Sequence, residues 1–188
     1  MTFVVMTFVI MLVITLLVAG CILGDQFKGK SEKAKLRYMI RAAIIATVYT
    51  VVTYLFRPIS YGVIQVRVSE ALTLLPLIES AAIPGLFIGC LIANILGGMG
   101  LWDIYLGSLI TLVSAYITSK MPNPVLGALP PIVFNALGVA FYLSFLFHMP
   151  YWVTALYIGV GQLVSVVGLG IPLYYFIQKT SLKNFLGI

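Results

Sequence analysis

Charged side chains make up 9% of this sequence, and a single histidine occurs among its 188 residues. A soluble domain carries about 25% charged residues, so a water-soluble fold is excluded. One histidine and two cysteines leave the usual catalytic triads and zinc sites without their parts. Cys21 and Cys90 both lie within apolar runs, at no metal-ligand spacing, and read as packing residues and not as a disulfide framework. Neither H-E-x-x-H nor G-x-S-x-G occurs. The sequence therefore leads us to expect no catalytic residue, no metal and no cofactor. Acidic residues are also scarce, 5 against 11 Lys and Arg, for a formal net charge of +6. The basic residues sit in short segments between apolar runs, as the positive-inside rule expects of cytoplasmic loops. The charge thus calls for no nucleic-acid partner.

What the chain has in quantity is apolar surface, with 62% hydrophobic residues and a mean hydropathy of +1.13. A membrane span needs roughly 20 mainly apolar residues to cross a hydrocarbon core about 30 Å thick. The length therefore holds six or seven helices and no second domain. Residues 1–23 form an extra N-terminal hydrophobic segment, 24–35 a basic cytoplasmic linker and 36–188 an all-α membrane domain. Within that domain, apolar runs and Gly/Pro punctuation predict six spans at 38–56, 69–80, 82–98, 101–119, 124–147 and 151–178. Placing Lys28 to Arg41 inside puts Arg57 outside, Glu79 inside, 98–101 outside, Lys120 inside, His148 outside, and Lys179 and Lys183 inside. Every lysine then falls on the cytoplasmic side, which is an independent check on the helix count. Val18-Ala19-Gly20-Cys21 resembles a lipoprotein cleavage box, yet no Lys or Arg precedes Lys28 to make a secretory n-region. The first segment is expected to be a retained extra helix with its N-terminus outside.

Gly24-Asp25-Gln26-Phe27-Lys28-Gly29-Lys30-Ser31 matches the phosphate-binding pattern G-x-x-x-x-G-K-[ST] in full. That pattern works as a turn between a buried strand and a helix, where backbone N–H groups cradle phosphate. Here it links two apolar helices, so an accidental match is expected. Ala42 and Ala46 lie one turn apart on one helix face, a spacing that lets another helix approach closely. His148, before Pro150, reads as an interfacial loop residue. Trp102, Tyr151 and Trp152 fall at predicted outer interfaces, where such rings anchor helices. Trp102 also neighbours Asp103 and so qualifies as a ring that stacks on a ligand.

The polar residues away from the cytoplasmic face carry most of the functional information. Ionisable groups in transmembrane segments cost about 2.5–3.5 kcal/mol on insertion scales and usually face a cavity or each other. The topology places Arg57, Gln65, Arg67, Glu70, Asn94 and Asp103 toward the outer ends of the helices. Asn135 and Gln162 lie deeper, Gln162 about 16 Å into its helix, where they form the floor of an outward-facing cavity. The competing account is an Arg67–Glu70 ion pair at a helix start, with Asn94, Asn135 and Gln162 bonding neighbouring helices. Glu79, at the cytoplasmic end, suits partner contact or capping better than ligand binding. A self-sufficient carrier or channel would call for an internal repeat, which is not evident. A membrane enzyme using Glu70 and Asp103 as an acid/base pair would lack a metal or nucleophile.

Three segments together suggest a family: Arg41-Ala42-Ala43-Ile44-Ile45-Ala46, the stretch from Pro58 to Pro76 that reads PISYGVIQVRVSEALTLLP, and the stretch from Ile83 to Asn94 that reads IPGLFIGCLIAN. With Trp102-Asp103-Ile104 and Gly107-Ser108-Leu109, they resemble the QueT family of queuosine-precursor transporters over residues 36–180. The resemblance implies a six-helix substrate-binding S component of an energy-coupling-factor transporter, multi-pass in the bacterial cell membrane and without an ATPase of its own. The implied partners are the lipid bilayer, a transmembrane coupling subunit and two ATPase subunits. The implied substrate is a 7-deazaguanine-type base, captured from outside beneath a loop at about 57–68, with another small vitamin as the alternative. An A-x-x-x-A contact to the coupling subunit, which such subunits carry in their first helix, falls on Ala42 and Ala46. A 7-deazaguanine base presents N–H donors beside a carbonyl acceptor, so carboxylates and amides among Gln65, Arg67, Glu70, Asn94, Trp102, Asp103, Asn135 and Gln162 suit it. Tyr61 or Trp102 would stack on the flat ring. Which carboxylate meets the base stays open. The hydrophobic segment 1–23 departs from the family pattern.

Overall fold

The computed structural model describes residues 2–27, 31–61 and 65–180. Helix α1 spans Thr2–Phe27, α2 Glu32–Leu55 and α3 the single turn Arg57–Ser60. A 3-10 helix, Val68–Leu77, leads to α4, Ala82–Leu96. A π-helical segment, Asp103–Gly107, runs into α5, Ser108–Thr118, and α6, Pro124–Gly127, runs into α7, Leu129–Phe147. The last rod joins α8, Tyr151–Gln162, through a π-helical segment, Leu163–Gly170, to α9, Ile171–Lys179. Among the described residues, six helical rods of ten or more residues thus follow α1. This is the all-α architecture that the hydropathy predicts.

Local chemistry sets the ends of these rods. Ser31 is the N-cap of α2 and accepts from the Ala34 N–H, with Glu32 in the first turn and paired to Lys35 at 2.8 Å. Pro58, at the start of α3, stops α2 from continuing. Gly98 follows α4 at a φ of 69°, a conformation that costs glycine nothing. His148 closes α7 in the left-handed region at a φ of 52° and is exposed, as a loop residue before Pro150 would be.

Glu32–Leu55, Pro124–Phe147 and Tyr151–Lys179 are long and apolar enough to cross a membrane. The expected span at 69–80 is different in kind. It is a 3-10 helix of ten residues, about 20 Å long at ~2.0 Å per residue, against a core of about 30 Å. Seven of its residues are buried, from Ser69 to Pro76. It packs against α2, α4, α5, α6, α9 and the Leu163–Gly170 segment, so it is the axis of the bundle and not a lipid-facing wall. Pro76 inside it has no N–H to give, and the Thr73 hydroxyl donates to the Glu70 carbonyl at 2.6 Å.

Helices α2 and α4 form the tightest pair. A Cβ on Gly85 would lie 2.9 Å from the Ala42 carbonyl oxygen, and one on Gly89 would lie 2.9 Å from the Ala46 carbonyl oxygen. Small residues on both helices let the backbones touch. Ala42 and Ala46 are buried in this contact. Within this chain, α4 covers the face that Ala42 and Ala46 present.

Helix α1 packs along α5 and the Asp103–Gly107 segment, and toward its C-terminal end Ala19 clusters with Ile83 and Phe87 of α4 and Leu112 of α5. The end of α1 therefore shares a side of the bundle with the start of α4, the same side as the start of α2. There Glu79 accepts from Arg41 at 2.9 Å and from the Ala81 N–H at 2.9 Å, while Tyr38 donates to the Ser80 carbonyl. Glu79 caps its own turn. The phosphate-loop-like match extends into 28–30, and Lys183 into 181–188, and both stretches lie outside the described residues.

Candidate functional site

At the opposite end of the bundle, polar side chains from four parts of the chain turn inward onto one small cavity. Gln65, Arg67, Asp103, Gly107, Asn135, Val139, Tyr142, Ile158 and Gln162 line it. Its free space is about 10 Å³, room for about one water and far below the ~300 Å³ of a typical small-molecule pocket. The site is closed.

Each wall has a local cause. Asp103 opens the π-helical segment Asp103–Gly107, and Gln162 ends α8 immediately before the segment Leu163–Gly170. Widened turns of this kind recur at functional sites because they re-aim side chains that a regular helix would place elsewhere. Gln65 has a φ of 47°, a strained conformation for a residue with a Cβ. Arg67 is the residue from which the 3-10 helix starts.

The carboxylate of Asp103 is held from one side, with Oδ1 accepting from the Tyr142 hydroxyl at 2.7 Å. Behind it, Asn94 donates from Nδ2 to the Asp103 carbonyl oxygen at 2.8 Å. Asn94 thus braces the Asp103 backbone instead of lining the cavity. Cys90 is the buried hub of the next layer, its sulfur approached by Arg67, Asn94 and Thr111 at 3.9, 3.6 and 3.5 Å. The Arg67 guanidinium stacks over the Tyr61 ring, 5.6 Å from its centroid, within electrostatic range of both Glu70 and Asp103. It forms an ion pair with neither, so the Arg67–Glu70 pair is not what fixes these residues. Tyr61 in turn donates to the Ala93 carbonyl at 2.6 Å, and its ring covers Gly97, leaving no room for a Cβ there.

Glu70 stands apart. Its Oε1 accepts from the Tyr49 hydroxyl on α2, beside a Thr53–Ser69 hydroxyl pair at 2.6 Å, and it does not line the cavity. Asp103 and Glu70 are therefore not the joint centre of one pocket, because Tyr49 draws Glu70 toward α2. Trp102 is half-buried and packs with Val139, Tyr142 and Ile158 in an apolar cluster, behind the cavity wall. Of the expected set, Gln65, Arg67, Asp103, Asn135 and Gln162 converge, whereas Glu70, Asn94 and Trp102 do not reach the cavity. Sequence reasoning missed Tyr142 and Tyr49, since a tyrosine in an apolar helix looks the same whether it anchors an interface or bonds a carboxylate. It also took Cys90 for simple packing.

Several buried polar atoms around this region have no hydrogen-bond partner: Arg67 Nε, Asn135 Nδ2, Gln162 Oε1, Asn94 Oδ1 and Glu70 Oε2. An unsatisfied buried donor or acceptor costs about 1–3 kcal/mol. The cavity wall thus combines two unspent donors, Arg67 Nε and Asn135 Nδ2, with the unspent acceptor of Gln162 and the carboxylate of Asp103. A small planar molecule with both donors and acceptors on its edge would satisfy them.

Among known proteins, the chain is similar to the queuosine precursor transporter QueT of Lactococcus lactis subsp. cremoris, with 37% identity over 84 residues. That match covers 44% of this chain and 49% of the relative, so the chain spans about half the length of the curated relative it matches. No solved structure matches it. The profile of the QueT transporter family matches residues 39–179, which runs from within α2 to the end of α9 and takes in every residue of the cavity. With that match and its long apolar helices, this multi-pass membrane protein belongs to the QueT transporter family.

Proposed function

We propose that the chain is the substrate-binding subunit of an importer, and that the cavity at Asp103 takes a 7-deazaguanine-type queuosine precursor from outside the cell. The observation that carries this reading is the set of unpartnered buried donors and acceptors around one closed cavity in a member of a transporter family. The base offers N–H donors that suit the Asp103 carboxylate and Gln162 Oε1, and a carbonyl that suits Asn135 Nδ2 or Arg67. With room for about one water, the cavity has to widen to admit the base, and Gln65 in its wall has a strained φ of 47°.

The finer reading is an S component of the energy-coupling-factor type, which docks on a transmembrane coupling subunit driven by two ATPases. Its support is the family resemblance together with the small size of the bundle. Two measurements test the proposal. Mass spectrometry of the ligand that co-purifies with the chain should find a 7-deazaguanine. Uptake in reconstituted vesicles should require the coupling subunit and both ATPases. Uptake by the chain alone would make it a self-sufficient carrier.

A further inference from the structure

The end of the bundle opposite the cavity has a recess that substrate capture does not use. Its volume is about 440 Å³, and Ser31, Lys33, Arg37, Tyr38, Arg41 and Glu79 are among the residues that line it. Lys33, Arg37 and Arg41 are spaced four residues apart on α2, so they stack along one face over two turns. Like charges at this spacing repel each other. Arg41 is neutralised by Glu79 at 2.9 Å. Lys33 and Arg37 form no ion pair among the described residues, and both are exposed. The recess therefore has two free cations, next to the capped N-terminus of α2, whose dipole also favours an anion.

We propose that this recess binds the phosphate of an anionic lipid headgroup. A phosphate matches two unpaired cations at a helix start, and 440 Å³ is room enough for a headgroup. The source follows from the neighbouring surface. Leu36, Ile40 and Ile44, which are 55%, 51% and 46% exposed, run along α2 beside the Lys33–Arg37 stripe and offer an acyl chain an apolar track. A free phosphate would make no use of that track. The positive-inside pattern puts this end in the cytoplasmic leaflet, where basic pockets at helix ends take up anionic headgroups.

The test uses the full chain in mild detergent, with native mass spectrometry after addition of equal amounts of phosphatidylglycerol and phosphatidylcholine of the same acyl chains. The wild type is expected to retain phosphatidylglycerol in preference. Lys33→Gln/Arg37→Gln should lower that retention by roughly 25-fold, since each basic residue near an anionic surface contributes about fivefold. Lys120→Gln/Lys179→Gln removes the same charge outside the recess and should change it little. Titration calorimetry with inorganic phosphate should show no saturable binding. Equal retention of the two lipids, or equal losses in the two double variants, would overturn the proposal. So would saturable phosphate binding that depends on Lys33 and Arg37 without a lipid preference.

Discussion

Gly89→Ala is the sharpest probe of how the bundle is built. The added Cβ would sit 2.9 Å from the Ala46 carbonyl oxygen, 2.9 Å from Tyr49 Cβ and 3.1 Å from Ala46 Cα, about half an ångström inside ordinary contact. All three atoms are backbone or fixed to it, so relief comes only by moving α2 away from α4. Overpacking of this kind costs about 1–3 kcal/mol. Alanine is favoured over glycine in a helix by about 1 kcal/mol, which offsets part of it. The net expectation is a loss of up to about 2 kcal/mol, and of about 1–3 kcal/mol relative to glycine-to-alanine changes that meet no neighbour. Gly20→Ala and Gly168→Ala, where a Cβ meets nothing within 4 Å, should be neutral or slightly stabilising. Unfolding in mixed micelles by titration with a denaturing detergent, followed by circular dichroism, compares the three variants directly. If Gly89→Ala is as stable as the other two, the close α2–α4 contact is wrong, and Ala42 and Ala46 become free to serve a partner subunit.

Tyr142→Phe removes the hydroxyl that donates to Asp103 Oδ1 at 2.7 Å; bonds to charged groups contribute about 1.5–3 kcal/mol, so both unfolding stability and affinity for a 7-deazaguanine base should fall, affinity by about fivefold or more. Glu70→Gln keeps an oxygen for the Tyr49 hydroxyl and leaves the cavity wall intact, so calorimetry should show a smaller loss of base affinity than Asp103→Asn; a larger loss would place Glu70 on the ligand. Lys30→Ala should leave uptake by the intact transporter unchanged, and a loss of ATP hydrolysis would mean that the G-x-x-x-x-G-K-S match binds nucleotide after all.

Hydropathy and punctuation made the long helices legible, because a span advertises itself by length. Residues 68–77 were harder to read. They are apolar enough to pass for a span, yet they are buried on nearly all sides by protein, and neither length nor Pro76 distinguishes the two environments. The candidate site was legible where polarity is expensive: Arg67, Asp103, Asn135 and Gln162 stand out in apolar runs because each must have a reason to be there. What periodicity could not show was the aim of each side chain. The π-helical segments at Asp103 and Leu163 shift register locally, and Tyr49 takes Glu70 away from the cavity. The spacing of Ala42 and Ala46 reported a close helix contact but not its partner. The complementary spacing of Gly85 and Gly89 in α4 was in the sequence and names it.

The central claim is that the cavity at Asp103 binds a 7-deazaguanine base, and calorimetric titration of the purified chain with that base tests it most directly. The wild type should bind saturably, and Asp103→Asn and Gln162→Ala should each lose about tenfold in affinity while remaining folded. Wild-type affinity in the Asp103→Asn/Gln162→Ala double variant would contradict the account.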